Sequence, residues 1–513
     1  MSSGSAASDD KTPALPRLVV EAKTLPAVLA AWARLAPDQV ALVHGGHRLT
    51  YGELADRVWR FAGQLASRGI VRGDRAVLVG DNSISWVVAY LGALRLGAVL
   101  SPANVRLNPQ QFAAQADLLD AAVVMADSAH LELAAASSRP VMSLDSDEGG
   151  VPPAAEPPWP TPIDDALVSF TSGTTGSPKG AVLTHDALLR GSLVWQEYLG
   201  TGPDDSTLVL VPLFHNTGFV DQLGHMLVAG GATHLLGRYS TAEAVDELRA
   251  RSVTFITAVP SILRLLTVAE DAEAAYGQAR IVEFGGSPMP SAWTEELRTR
   301  WPHLRLIHGY GLSEFTSVVT FLPPELIGTC PESVGYPVPG VELMIADSDG
   351  RLADARVSGE IWVRGATRMD RYWANPELTA AKFAGPWLRT GDLGYLDEAG
   401  LLWLNGRVDD AINRGGEKVL PAYVESRVAE LPEVAEACVF GFADPILQQR
   451  VGVAIQLRPG IRLNHRRALN LLRAALPDYA VPEQWVVYDE LPRTASGKTD
   501  RRAVARDFEQ KAT

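Results

Sequence analysis

The chain has 513 residues, of which 47% are hydrophobic and 21% charged, and its formal net charge is −14. This composition is typical of a globular protein with room for roughly three or four domain-sized units. The sequence has no apolar run of about 18 residues, so we expect no membrane span. The negative charge argues against non-specific binding to nucleic acid or to an anionic membrane.

The cysteines and the first residues bear on the compartment. Cys330 and Cys438 are the two cysteines, too few for a disulfide framework or a cysteine metal cluster, so a reducing, cytoplasmic setting is expected. The opening MSSGSAASDDKTPAL is small, polar and acidic, and it lacks the basic start and apolar core of a secretory signal. We predict a flexible tail over residues 1–24.

Helix and strand patterns alternate along the first two thirds of the chain. The segment 50–69 has apolar residues at helical spacing behind Thr50, which predicts an N-capped helix. Short apolar runs such as RAVLVG predict buried strands. After an irregular connector, 145–163, the alternation resumes and includes a helix near 219–229. This order predicts βαβ units and a parallel sheet.

The pattern of long helical segments alternating with strands ends near residue 330. Short segments such as VELMIA and GEIWVRG are separated by turns, which predicts a small antiparallel or barrel-like part. The stretch 404–421 has few apolar residues in sequence and is typical of a junction. The remaining segments predict a compact α+β tail.

The string SFTSGTTGSPKGAVLTH, at 169–185, places three glycines and several hydroxyls around Lys179. Glycines let backbone N–H groups approach a ligand, and lysine adds charge, so the composition predicts a polyphosphate cradle. It is not a Walker A loop, because a glycine and strand-like residues follow Lys179. A plain flexible linker is the alternative, and the apolar segments on both sides disfavour it.

This loop and five further motifs resemble those of the adenylate-forming superfamily, which includes acyl- and aryl-CoA synthetases, peptide-synthetase adenylation domains and luciferases. The further motifs are TYGEL (50–54), YGLSE (310–314), RTGDLGYLDEAG (389–400), GRVDDAINRGGEKVLP (406–421) and PRTASGKTDR (492–501). They cover nearly the whole chain after residue 25, and they indicate the acid–CoA ligase branch.

The resemblance implies an α/β fold with a large N-terminal domain of two doubly wound βαβ subdomains and a small distorted β-barrel. A small mobile α+β domain follows. The implied division is a tail at 1–24, an adenylate-forming domain at 25–405, a hinge at 406–410 and a lid domain at 411–513. Asp409 would be the hinge residue.

The implied reaction uses ATP, Mg²⁺ and CoA. A carboxylic acid forms acyl-AMP and pyrophosphate, and a thiol then displaces AMP. Lys498 would contact the carboxylate and the α-phosphate, where two anions must meet. Glu314 and Thr171 would hold Mg²⁺, which prefers oxygen ligands, and His215 would be the gate between the thiol tunnel and the acid pocket. Gly415 and Gly416 would line that tunnel.

The implied ATP site gathers residues from several motifs. The phosphate cradle would be Thr171, Ser172, Gly173, Thr174, Thr175, Gly176 and Lys179. Adenine would lie between two glycine-rich segments, with Tyr310 stacking, and the residues there are Gly285, Gly286, Ser287, His308, Gly309, Tyr310, Gly311 and Ser313. Asp392 and Arg407 would bind the ribose.

The implied acid pocket is lined by Asn216, Thr217, Gly218, Phe284, Thr316 and Ser317. Small polar residues suit an aryl or short functionalised acid better than a long alkyl chain. Asp221 and Glu283 are unusual acids in apolar segments. They could bind an amino group of the substrate, but we favour pairing with buried arginine or backbone N–H groups.

Three positions depart from the family pattern without removing a catalytic group, and the Gln448–Gln449 pair leaves the thiol acceptor open. Tyr423 replaces an acid, Gln448 and Gln449 replace a Gly-Glu pair, and Thr499 replaces an aliphatic residue. One alternative is an enzyme that passes the acyl group to a carrier protein, or that activates another oxyanion or an amino-aryl acid. Another is a nucleotide-binding ATPase or sensor, which the presence of Lys498, Glu314, Asp392 and Arg407 together disfavours. The expected partners are a small acid, ATP and CoA, with the chain a monomer or homodimer.

Overall fold

The computed structural model describes residues 14–145, 158–171, 178–287, 289–410, 412–414, 417–494 and 499–512. The chain forms two compact units. The larger is Met1–Glu342 with Val363–Leu388, and the smaller is Leu343–Trp362 with Arg389–Thr513. In the part of the chain that is described, no helix combines the length and apolar character needed to cross a membrane.

The helices and strands follow in chain order. The α-helices are α1 (Arg17–Glu21), α2 (Leu25–Leu35), α3 (Tyr51–Ser67), α4 (Ile84–Leu96), α5 (Pro109–Leu119), α6 (Leu131–Ala134), α7 (His185–Leu199), α8 (His225–Ala229), α9 (Thr241–Ala250), α10 (Pro260–Thr267), α11 (Ala272–Tyr276), α12 (Ser291–Arg300), α13 (Pro376–Lys382), α14 (Pro421–Ala429), α15 (His465–Ala475) and α16 (Arg501–Ala512). The strands are β1 (Val40–His44), β2 (His47–Thr50), β3 (Arg75–Val79), β4 (Val99–Pro102), β5 (Val123–Ala126), β6 (Val141–Ser143), β7 (Asp165–Thr171), β8 (Lys179–Thr184), β9 (Ser206–Val209), β10 (Ala232–Leu235), β11 (Phe255–Ala258), β12 (Ile281–Gly285), β13 (Arg305–Gly311), β14 (Val318–Leu322), β15 (Ser333–Pro337), β16 (Val341–Ala346), β17 (Gly359–Gly365), β18 (Arg371–Tyr372), β19 (Phe383–Ala384), β20 (Trp387–Leu396), β21 (Leu402–Arg407), β22 (Ile412–Arg414), β23 (Glu417–Val419), β24 (Val434–Asp444), β25 (Gln448–Leu457) and β26 (Gln484–Tyr488).

The larger unit holds two mainly parallel sheets. One runs in the order β13-β12-β11-β9-β10-β1 with parallel neighbours, and β14 and β2 pair antiparallel at its two ends. The other runs β7-β4-β3-β5-β6 in parallel, and β8 and then β18 pair antiparallel beside β7. The predicted βαβ alternation and parallel sheets are therefore confirmed.

The smaller unit is built on antiparallel pairs. The strands β16, β17, β20 and β21 are successive neighbours, and β20 and β21 run antiparallel. A separate sheet has the order β23-β22-β25-β24, with β26 parallel to β25. Helices α14 and α15 bury Val424, Val428, Ala468 and Leu472 in the core of this sheet. The predicted α+β tail is confirmed.

Local sequence signals explain several helix ends. Thr50 caps α3 through a hydrogen bond from the Glu53 N–H, and Glu53 bonds back to the Thr50 N–H, which forms a capping box. The N-capped helix predicted over 50–69 is thus confirmed.

Helix α4 has buried residues on every side from Trp86 to Leu96, and such a helix belongs in a core.

Two segments have local structure that the sequence did not specify. Residues 17–21 of the predicted flexible tail form α1, in which Val19 is buried and an Arg17–Glu21 ion pair spans one turn. The helix predicted near 219–229 is present, as a π-helix at Thr217–Gly224 followed by α8. A Cβ on Gly218 would lie 2.7 Å from the Pro212 oxygen and one on Gly224 2.3 Å from the Ser192 hydroxyl, so neighbouring segments pack closely against this helix.

Candidate functional site

The phosphate-loop motif lies on an antiparallel pair of strands. Thr171 at the end of β7 is paired with Lys179 at the start of β8. This differs from a Walker A loop, which leads into a helix, and it agrees with the strand predicted after Lys179. The predicted cradle residues Ser172, Gly173, Thr174, Thr175 and Gly176, and the Thr171 side chain, lie outside the described residues.

Glu314, the predicted metal ligand, lies in a 3₁₀ turn, Ser313–Phe315, that packs against β8. Its Oε1 accepts a hydrogen bond of 2.8 Å from the Tyr372 hydroxyl, and its carbonyl accepts one of 2.7 Å from the Met369 N–H. The turn brings residue 311 close to Ser317, where a Cβ would lie only 1.9 Å from the Ser317 oxygen. The backbone can take this path because residue 311 is a glycine. Glu314 is therefore held beside the strand that begins at Lys179.

The two segments predicted to bind adenine are neighbouring parallel strands. Gly285 of β12 is directly opposite Gly309 of β13, and Phe284 is opposite His308. The Phe284 and His308 rings stack with centroids 4.9 Å apart. His308 Nδ1 lies 3.1 Å from the Ser333 oxygen. Burial lowers the pKa of His308 to about 4, so this ring is neutral at physiological pH.

The other residues predicted to bind adenine lie close in sequence to the ends of these two strands. Gly286 and Ser287 follow the end of β12, and Tyr310 and Gly311 end β13. Ser313 begins the 3₁₀ turn of Glu314. These residues thus follow the carboxyl ends of two parallel strands, where ligands of such sheets usually bind.

The two predicted ribose residues are brought together in the smaller unit. Asp392 on β20 is directly opposite Arg407 on β21. Arg407 Nη1 donates a hydrogen bond of 2.6 Å to Asp392 Oδ1, and the Thr390 hydroxyl accepts one of 3.0 Å from the Asp392 N–H. A carboxylate held in this way presents its second oxygen in a fixed direction.

Five of the six predicted acid-pocket residues come together. Asn216 Nδ2 donates to the Thr316 oxygen, and the Ser169 hydroxyl donates to Asn216 Oδ1 at 3.1 Å. Thr217 and Gly218 follow in the π-helix, and Ser317 follows Thr316. His215 precedes this group, with its ring 4.5 Å from that of Phe214.

Phe284 does not join that group. Side chains alternate between the two faces of a strand, and Phe284 stacks on His308 while its neighbour Glu283 points to the opposite face, towards Gly309. The structure therefore separates Phe284 from the side on which Glu283 lies. The order of apolar and polar residues in RIVEFGG could not show which face of the strand each side chain would occupy.

The partners of Asp221 and Glu283 correct our prediction. Asp221 accepts a hydrogen bond from the Ser317 hydroxyl, and Glu283 accepts one from the Thr257 hydroxyl. Neither a buried arginine nor a backbone N–H is among the partners of these carboxyls within the described ranges. Burial raises the pKa of Asp221 to about 7 and that of Glu283 to about 8.

Two positioning residues were missed by the sequence analysis. Asn82 Nδ2 donates to the carbonyls of Val211 and Leu236, each at 3.0 Å, and its Oδ1 accepts from the Leu213 N–H at 2.7 Å. It thereby fixes the segment that leads to His215. Tyr372, the partner of Glu314, is the second. Neither residue belongs to a recognisable local pattern, because each acts on a segment distant in sequence.

The residues of the smaller unit that depart from the family pattern have contacts of their own. Gln449 Oε1 accepts a hydrogen bond of 2.9 Å from the Asn413 N–H, and Gln448 Oε1 accepts one of 2.8 Å from Asn413 Nδ2. The Thr499 hydroxyl donates to Glu436 Oε1 at 2.6 Å, and Tyr423 is exposed on α14. Lys498, Gly415, Gly416 and the Asp409 side chain lie outside the described residues.

Comparison with known proteins identifies the family. The family model for AMP-binding enzymes matches residues 29–373, and that for the AMP-binding enzyme C-terminal domain matches residues 423–498. The chain belongs to the AMP-binding enzyme family. The resemblance stated from the motifs is confirmed.

Relatives and a solved structure refine the placement. An oxalate–CoA ligase of Arabidopsis thaliana is 30% identical, over 96% of this chain and 100% of that protein. A 2-succinylbenzoate–CoA ligase of Geobacillus kaustophilus is 32% identical, over 94% of this chain and 98% of its own length. The structure of o-succinylbenzoate coenzyme A synthetase from Bacillus subtilis, in complex with ATP and a magnesium ion, has a TM-score of 0.83 and 29% identity, covering 93% of this chain and 98% of that one.

The chain is therefore a member of the acyl- and aryl-CoA ligase branch of the adenylate-forming superfamily. Its chemistry is that of an AMP-forming acid–CoA ligase. The prediction of an enzyme is confirmed, and the alternative of an ATPase or sensor without ligase activity is set aside.

Proposed function

We propose that this enzyme activates an aryl or short functionalised carboxylic acid with ATP and transfers the acyl group to CoA. A carboxylate oxygen attacks the α-phosphorus of ATP, the bond to the β-phosphate oxygen breaks, and pyrophosphate leaves. The CoA sulfur then attacks the acyl carbon, the thiol loses its proton, and AMP leaves. The observation that carries the proposal is the position of Glu314 beside the strand that starts at Lys179.

Mg²⁺ fits the residues at this position. Glu314 is a half-buried carboxylate with one oxygen on the Tyr372 hydroxyl, and hard oxygen ligands of this kind suit Mg²⁺. Glu314 would hold the ion together with Thr171. When bound, Mg²⁺ would offset the negative charge of the ATP phosphates.

The remaining roles follow the same order. Lys179 would contact the outer phosphates, and Asp392 with Arg407 would bind the ribose hydroxyls. Lys498 would supply the ammonium group that allows the carboxylate to approach the α-phosphate. A hinge at 406–410 with Asp409, and a tunnel at Gly415 and Gly416, belong to the same proposal.

The class of acid substrate is proposed from the names of relatives and from the residues that follow His215. Oxalate–CoA ligase and 2-succinylbenzoate–CoA ligase are the names of relatives that match nearly the full chain. Asn216, Thr217 and Gly218, which follow His215, are small or polar, which suits a short or aromatic acid. CoA is the proposed thiol, and a carrier protein is the alternative, since Gln448 and Gln449 depart from the family pattern.

Pyrophosphate release tests the proposal. The full-length protein is incubated with ATP, Mg²⁺ and a panel of aromatic, amino-aromatic and aliphatic acids, with and without CoA. We expect release with a subset of aryl or short acids, and conversion of acyl-AMP to acyl-CoA when CoA is added. Acyl-AMP that persists with CoA would favour the carrier-protein alternative, and no release with any acid would contradict the proposal.

A further inference from the structure

Two buried carboxyl groups lie next to the residues proposed to line the acid pocket. Asp221 is in the π-helix Thr217–Gly224, and Glu283 is in β12. Each is 5% exposed. The charge of Asp221 contributes to raising the pKa of Glu283. Neither group has a part in the reaction proposed above.

Glu283 has a free acceptor atom. The Thr257 hydroxyl donates to Glu283 Oε2, and no described residue donates to Oε1. A Cβ on Gly309 would lie 2.4 Å from Oε1, and one on Gly285 would lie 3.2 Å away. The free oxygen therefore occupies the space left by two glycines of the strands β12 and β13.

Asp221 is surrounded by hydrogen-bond donors of the proposed pocket. The Ser317 hydroxyl donates a hydrogen bond to the Asp221 carboxyl, and the Thr217 hydroxyl also favours the charged form of this carboxyl. The indole N–H of Trp195, which is 2% exposed, points to the same carboxyl and also favours its charged form. Asp221 thus receives donors from the chain itself, whereas Glu283 keeps one oxygen to which no described residue donates.

Among the described residues, no positively charged side chain offsets these two acids. None of the groups that act on the pKa of Asp221 or Glu283 is an arginine, lysine or histidine. A buried carboxylate without a cation or enough donors is costly. Burial keeps both groups partly protonated near neutral pH, as their raised pKa values show. A cationic or donor-rich group from outside the chain would be stabilised here.

We propose that Asp221 and Glu283 bind an amino group carried by the acid substrate, so that this enzyme selects amino-substituted carboxylic acids. The inference rests on the proposed function and names the substrate class of that site. An amino group offers at least two N–H donors for two acceptors, whereas a hydroxyl offers one and a methyl none. A protonated amine would also supply the missing positive charge.

Matched substrates test this inference with the wild-type protein. Pyrophosphate release is measured for benzoates and butyrates that carry an amino, a hydroxyl or a methyl group at the same position. We expect kcat/KM for the best amino acid of a series to exceed that of its methyl analogue by about tenfold or more. A ratio near one, or an equally good hydroxyl analogue, would overturn the inference.

Isosteric variants locate the effect. Glu283→Gln and Asp221→Asn each replace an acceptor oxygen with an amide that donates, and we expect the amino-to-methyl ratio to fall to within about threefold of one. The exposed Glu325→Gln is the matched control and should keep the wild-type ratio. An unchanged ratio in both pocket variants would also overturn the inference. Because each ratio compares two substrates on one protein, partial loss of folded enzyme does not affect it.

The same panel separates this inference from the proposed function. If no acid released pyrophosphate, the proposed function would fail and this inference with it. If unsubstituted acids were activated without preference for amino groups, only the inference would fail.

Discussion

The Tyr372 hydroxyl donates a hydrogen bond of 2.8 Å to Glu314 Oε1, and so links the short strand β18 to the turn that carries the proposed metal ligand. The two residues are 58 positions apart in sequence. A partner of this kind orients a carboxylate and restricts which of its oxygens can reach an ion. Glu314 is thus held in place before any ligand binds.

Removing this hydroxyl should weaken the use of Mg²⁺. We expect Tyr372→Phe to raise the Mg²⁺ concentration needed for half-maximal pyrophosphate release by about tenfold. The exposed Tyr336→Phe, in the same unit, is the control and should leave it unchanged. The measurement is a Mg²⁺ titration at saturating ATP and acid, and an unchanged midpoint in Tyr372→Phe would argue against Glu314 as a ligand.

Loss of the Asp392 carboxylate should weaken ATP binding. Asp392→Ala removes the proposed partner of the ribose and also leaves Arg407 without its 2.6 Å contact. We expect the KM for ATP to rise by about 10- to 100-fold, since a hydrogen bond to a charged group is worth about 1.5–3 kcal/mol. Arg356→Ala, which breaks an exposed ion pair with Glu398, is the control. Equal KM values in both variants would contradict the ribose assignment.

Lys498 and its flanking contacts should act on the first half-reaction. Lys498→Ala is expected to slow acyl-AMP formation by about a thousandfold, because the ammonium group is proposed to act only where the two anions meet. Thr499→Ala should slow it by only about threefold, since it loosens the Glu436 and Arg493 contacts beside that lysine. Pyrophosphate release without CoA measures both rates, with the exposed Glu490→Gln as the control. Full activity of Lys498→Ala would refute its assigned role.

Asn82 should matter for stability. Its side chain makes three hydrogen bonds to the backbone of the segments around Val211, Leu213 and Leu236, and it is buried. Asn82→Ala leaves these backbone groups unsatisfied, and we expect the free energy of unfolding to fall by about 3 kcal/mol. Urea unfolding followed by tryptophan fluorescence measures this. A loss well below 1 kcal/mol would show that water replaces the side chain.

The buried acids should make stability depend on pH. The pKa values of Asp221 and Glu283 are raised to about 7 and about 8 in the folded protein, so the folded state binds more protons than the unfolded chain. Their contribution to stability is complete below the unfolded pKa values. It falls as pH rises, up to about 7 for Asp221 and about 8 for Glu283, by roughly 1 kcal/mol per pH unit for each group.

Unfolding at several pH values checks this contribution. We expect Glu283→Gln to lose less stability than the wild type between about pH 5 and about pH 8, because its side chain does not titrate. Glu325→Gln, on the surface, should follow the wild type. Parallel curves for Glu283→Gln and the wild type would mean that Glu283 is already ionised in the folded protein.

Short-range patterns carried much of what could be predicted. The capping box of Thr50 and Glu53 lies within one turn, so the sequence alone could place the start of α3. The strands on either side of the phosphate loop are likewise local apolar runs. The motifs identified the superfamily, because each is a contiguous string with the residue types that its chemistry needs.

Long-range contacts could not be predicted in the same way. The face on which Phe284 lies, the π-helix at Thr217–Gly224, and the hydroxyl partners of Asp221 and Glu283 depend on which strands and helices become neighbours. A run such as RIVEFGG shows that a strand is buried. It does not show what lies against each face.

The sequence by itself determined the family, the alternation of helices and strands, and the residue types offered to ATP. The tertiary structure decided which of these meet: Asp392 with Arg407, Glu314 with Tyr372, and Glu283 with Thr257. The reason is physical. Secondary structure follows from interactions within a few residues, whereas a site is formed by side chains that only the packing of distant segments brings within hydrogen-bond distance.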